Sequence, residues 1–192
     1  MYSPKAGAAV GQMFFAGFGT LWMIDWCLQR HGADLPTLTL IALAGSTIFL
    51  WAWCEFRQGK TEAEVRVESS RYRASQRAFR WVNATQWLAV LVANIALNAT
   101  GHAEWVMPTV ILIVGVHFIP LARAFHARRH YATGAALIVV AFGYPWIANS
   151  GSSYPSGAFA TGSILWISAL YGFLRNRSSG ITARLVERNR LT

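Results

Sequence analysis

The chain has 192 residues, of which 54% are hydrophobic and only 13% charged, and it carries a formal net charge of +9. That apolar share is gathered into blocks of about twenty residues almost free of fixed charge, which excludes an ordinary water-soluble domain and matches the length needed to cross hydrocarbon. The positive charge does not imply nucleic acid, because Lys and Arg fall between the apolar blocks and form no contiguous basic face.

The first block, 7–28, follows Lys5 and lacks a small-residue cleavage site. It reads as a retained transmembrane helix and not as a signal peptide. Gly7 and Gly11 form a GxxxG pair suited to close helix contact. Gln12 stands alone in the inner half of this span and is expected to join an interior polar network. Asp25 lies at the outer mouth, where it is either solvated at the interface or turned inward to attract cations or pair with Arg30. The second span, 35–56, places Cys54 at the membrane face opposite Cys27, too far away for a disulfide.

Residues 57–78 form a basic cytoplasmic connection in which Glu62, Glu64 and Glu68 are followed by Arg71, Arg73 and Arg77. Together with Arg66 these arginines should draw the segment to anionic lipid headgroups. The third span, 79–98, carries Asn83, Gln86, Asn94 and Asn98 within about one third of the helix circumference at 100° per residue. Amides facing lipid would lack partners, so the stripe is expected to face the bundle interior. There it serves either as interhelical glue or as the lining of a polar pathway.

The fourth span, 105–125, holds His117, three residues before Pro120. Proline removes a backbone donor and frees the Val116 carbonyl, so a helix kink is expected at Pro120. His117 is then either a relay or binding residue of the pathway or a neutral histidine bonded to a third-span amide. His126 and His130 stand four apart, but the interleaved Arg128 and Arg129 disfavour a metal cation there. The fifth and sixth spans are 131–149 and 155–174, the latter with a small-residue pair at Ala158 and Gly162, and the cytoplasmic tail is 175–192, with mobile last residues.

These elements predict an all-α polytopic membrane protein of six transmembrane helices in a single domain. Pro36, Pro108 and Pro155 each open an even-numbered span, which suggests three consecutive helical hairpins. Arg30 is the one Lys or Arg in the three short connections of the odd-to-even pairs, so the N- and C-termini are expected in the cytoplasm. Trp22, Trp26, Trp105 and Trp146 suit the outer interface, and Trp51, Trp53 and Trp81 the inner one, whereas Trp166 falls mid-span. No span contains a lysine, which excludes a retinal Schiff base, and no HExxH, GxSxG or P-loop pattern occurs. One mid-membrane histidine does not ligate haem from both sides. The expectation is therefore no enzyme, no cofactor and no metal, with a homo-oligomer compatible with the small-residue pairs.

The string His117-Phe118-Ile119-Pro120-Leu121-Ala122 with its basic turn resembles a segment of small bacterial membrane proteins. The three-hairpin organisation is similar to the HdeD-type family of six-helix inner-membrane proteins. The resemblance implies a bacterial inner-membrane location and carries over no catalytic or binding residue. Functionally, the residues suggest a small-solute or ion carrier or channel with a polar pathway. The alternative is a non-transporting structural or stress-associated membrane protein whose amides pack helices.

Overall fold

Apolar runs bounded by turn residues become six helices: α1 (Pro4–His31), α2 (Leu35–Thr61), α3 (Ser70–Ala99), α4 (Val106–Phe125), α5 (Arg129–Ile147) and α6 (Ser156–Arg190). The computed structural model describes residues 4–61, 70–125, 129–147 and 155–190, all helical or in short turns. α1 ends at Gly32, whose φ of 68° is a left-handed conformation that glycine adopts without strain. Two residues on, the Asp34 carboxylate accepts the Thr37 amide at 3.0 Å and caps α2, with Pro36 in the first turn. α3 closes differently, around Gly101 at φ 78°, with Gly101 N–H donating to Asn98 O and His102 N–H to Leu97 O. This paired turn satisfies carbonyls that the helix end would otherwise orphan.

Five helices, all except α5, are long and apolar enough to cross a membrane. The chain is a helical multi-pass membrane protein. α5 opens on the polar Arg129, His130 and Thr133 and carries the Gly143-Tyr144-Pro145 step, so the apolar run of its described part lies mainly between them. It tolerates that polarity because it lies between α4 and α6 and buries His130, Thr133 and Tyr144 against them.

All three expected hairpins are present, but the most extensive packing is α1 on α2, α1 on α6 and α4 on α5. Neighbours therefore run α2, α1, α6, α5, α4, α3 around the bundle. Glycines explain the closest pairs. A Cβ on Gly19 would stand 3.2 Å from the Gly162 carbonyl oxygen, and one on Gly162 would stand 3.0 Å from that of Gly19. Gly115 and Gly134 join α4 to α5 in the same way, with Gly134 needing a Cβ only 2.7 Å from Gly115 O. At the α1–α2 crossing Gly45 receives the Thr20 side chain. Without a hydrophobic force between helices in lipid, such approaches supply the van der Waals contact that holds neighbours together.

Several expectations are corrected. Among the described residues Gly7 has no neighbour that a Cβ would meet, and Gly11 faces the Arg129 guanidinium, so there this pair makes no close helix crossing. Pro120 stands inside α4 and Pro145 inside α5. α2 continues to Thr61 and α3 begins at Ser70, so helix covers much of the expected connection. α6 extends to Arg190, past the expected tail boundary. Arg71 and Arg73 fall in the first turns of α3, Arg77 is exposed, and Arg66 and His126 lie outside the described residues. Trp166 packs inward against Gly19.

Candidate functional site

The polar residues singled out in sequence do not form one network. Asn94 and Asn98 are exposed on the outside of α3, which corrects the expectation that they face the interior, while Asn83 and Gln86 are half-buried. The reason is that α3 has one extensive helix neighbour, α4, and its stripe turns partly away from it. Asn98 Nδ2 donates to the Asn94 backbone oxygen at 2.8 Å, and it lies 3.3 Å from Asn94 Oδ1. α3 meets α1 through rings, with Phe14 and Phe79 centroids 5.9 Å apart and Phe18 and Trp87 6.5 Å apart.

His117 lies half-buried on α4 and reaches the Val82 backbone of α3, not an amide side chain. Its Nδ1 is buried without a hydrogen-bond partner among the described residues. The neighbouring Phe118 belongs to an interior ring cluster. Phe15 of α1 and Phe118 of α4 are 5.4 Å apart, and His130 of α5 stands 5.6 Å from Phe15 and 5.9 Å from Phe118, stacked on the latter at 17°.

Gln12 faces α5 and α6. It is 1% exposed, and neither Nε2 nor Oε1 has a partner among the described residues. A Cβ on Gly172 of α6 would run into the Gln12 carboxamide and stand 3.1 Å from an Arg129 guanidinium nitrogen, while one on Gly11 would stand 3.8 Å from another. Arg129, the first residue of α5, is thus laid between α1 and α6 beside Gln12. One turn on, Thr133 Oγ1 and Ser168 Oγ share a hydrogen bond of 2.9 Å across α5 and α6, and the Thr133 hydroxyl also lies 3.2 Å from the Arg129 carbonyl. Buried polar atoms without partners are costly in a protein interior, and Gln12 contributes two such atoms here.

At the other end of the bundle, Leu21, Trp22 and Asp25 of α1 and Met107 of α4 line an open cavity of about 280 Å³. Asp25 accepts a 2.7 Å hydrogen bond from Gln29 Nε2. No family model, curated protein or solved structure matches this chain. Among the described residues no three His, Cys, Asp or Glu side chains gather as a metal site.

Sequence reasoning passed over Thr133 and Ser168, and weighed His130 and Arg129 only for and against a metal site with His126. Starting the fifth span at Tyr131 left Arg129 and His130 outside the membrane-spanning segment. The signal lay in Arg129, His130 and Thr133 at i, i+1 and i+4, a polar first turn on an otherwise apolar helix.

Proposed function

We propose that this chain is a small-solute or ion carrier or channel of the bacterial inner membrane, with both termini cytoplasmic. The observation that carries the reading is the order of features along α1: the open cavity at Asp25, shared with Met107 of α4, then the Phe15–Phe118 ring pair between the same two helices, then the partnerless Gln12 one turn further toward the N-terminus, beside α5 and α6. An open hollow, an apolar contact and a buried polar group in that order suit gated passage. The orientation is supported by Arg57, Arg80, Arg123 and Arg129 at the terminal end and Arg30 at the other. The exposed Arg77, with Arg71 and Arg73 on the same helix, suits contact with anionic headgroups at that end.

Flux of small solutes and ions from proteoliposomes tests this reading. Phe15→Ala should raise flux several-fold by widening the constriction, whereas Asn94→Leu, on the outer face of α3, should leave it unchanged. Flux equal to protein-free liposomes for every solute, in the parent protein and in Phe15→Ala, would overturn the proposal.

The rival, a non-transporting protein whose amides serve packing, is favoured by the exposed Asn94 and Asn98. Amides in hydrocarbon gain from pairing with another helix, and a second copy of this chain offers matching donors and acceptors. A shift from dimer to monomer in detergent on Asn94→Leu, with no flux at all, would select that reading.

A further inference from the structure

We infer that the cradle between α1, α5 and α6 binds a phosphate-type oxyanion, held by the Arg129 guanidinium, the Gln12 carboxamide and the opening turn of α5. Its part in transport rests on the pathway reading above, but binding itself does not.

Three independent features converge there. Arg129 presents a planar array of donors that matches tetrahedral oxyanions in pairs of hydrogen bonds. It stands at the first turn of a 19-residue helix, where the helix dipole favours negative charge. The second feature is Gln12, 99% shielded from solvent (1% exposed) and without a partner for either amide atom among the described residues. A carboxamide so deeply placed next to a guanidinium is a donor waiting for an acceptor. The third feature is convergence, since the missing side chain at Gly172 lets the Gln12 carboxamide and an Arg129 guanidinium nitrogen both lie against α6, where a Cβ would strike the first and stand 3.1 Å from the second.

Access comes from the terminal end. Arg129 is half-exposed and begins its helix there. Asp25, which would repel an anion, lies 13 residues further along α1, about 20 Å at 1.5 Å per residue. Two sources share this chemistry, a free phosphate ion and the phosphate of a lipid headgroup at the same depth.

The full chain, purified in detergent and stripped of lipid, is titrated with inorganic phosphate at constant ionic strength, and separately with phosphatidylglycerol against phosphatidylcholine. A saturable rise in unfolding temperature, on the order of 5 °C once ligand exceeds Kd about a hundredfold, is expected with one of the two anions. A response to phosphate assigns a free oxyanion, and one to phosphatidylglycerol alone assigns a headgroup. Gln12→Leu should weaken that response roughly tenfold, the effect of losing one hydrogen bond to a charged group. Gly172→Ala should weaken it by pushing the Gln12 carboxamide out of place. Phosphorus NMR line broadening with the parent protein gives the same answer without a variant.

No saturable response to either anion in the parent protein overturns the site, as does an undiminished response in both variants. Binding without flux in proteoliposomes leaves the oxyanion site standing and removes the pathway.

Discussion

α1 and α3 are nearly equal as membrane segments by composition, with mean hydropathies of 1.3 and 1.2 over their best windows, yet 33% of the first window is buried and 0% of the second. α1 offers Gly19, Thr20 and Cys27 to its neighbours, so α2 and α6 approach its backbone. α3 has no glycine between Ser70 and Ala99, and it carries Trp81, Trp87, Leu88 and Leu91 outward. Hydropathy decides which segments enter lipid, and small residues then decide which of them touch. The chemistry follows the same division, since the partnerless polar atoms of Gln12 and His130 lie in the glycine-joined part.

The largest effect should come from enlarging a glycine at a closed crossing. Gly134→Leu puts a Cβ 2.7 Å from the Gly115 oxygen, and backbone cannot swing aside as a side chain can. A loss at or above the upper end of about 1–3 kcal/mol is expected, seen as aggregation on size exclusion and a lowered unfolding midpoint. Ala96→Leu on the exposed face of α3 is the matched control and should stay within about 0.5 kcal/mol of the parent. Equal damage from both would mean that α3 is as tightly enclosed as α1, and the contrast would fail.

A smaller effect separates hydroxyls that bridge helices from hydroxyls that fold back. Thr133 reaches across to Ser168 as well as back to the Arg129 carbonyl, whereas Thr85 of α3 donates to the Trp81 carbonyl of its own helix at 2.9 Å. Thr133→Val should cost about 0.6 kcal/mol, the usual worth of an interhelical hydrogen bond in a membrane protein. Combining it with Ser168→Ala should add less than the sum of the two, the sign of coupling in a double-mutant cycle. Thr85→Val should cost next to nothing. A strictly additive Thr133 and Ser168 pair would show that the contact contributes no stability.

The same division explains what was legible in the sequence. Helix number and approximate ends were readable because a block such as 35–56 is long, uncharged and bounded by Asp34-Leu35-Pro36 on one side and Arg57 on the other. Packing was not, because GxxxG at Gly7 and Gly11 looks the same in sequence as a pair that meets a partner. The contacts that matter, Gly19 with Gly162 and Gly115 with Gly134, join residues far apart in the chain. The amide stripe was real as a stripe, but which way it faces depends on where α4 lies, and periodicity carries no such information. Gln12 was identified as interior, while Arg129 and His130, read just outside the fifth span and weighed only for a metal, gave no sign that they lie near it.

The smallest effect concerns how the two glycine-marked helix ends are closed, and it is the one that pH reaches. Near Gly101 the end of α3 is closed by backbone N–H groups and the Thr100 hydroxyl, while just beyond Gly32 the start of α2 is capped by a carboxylate. The Thr37 hydroxyl and backbone N–H hold the Asp34 carboxyl below its ordinary value, so the folded chain prefers it ionised. Its contribution is therefore full above the unfolded value of about 3.9 and is lost as pH falls through the lower folded value. The midpoint of the parent protein should drop slightly more steeply than that of Asp34→Asn between about pH 4 and 2, since asparagine caps a helix at any pH. Identical slopes would place the acid sensitivity elsewhere, and the two helix ends would then differ in geometry but not in electrostatics.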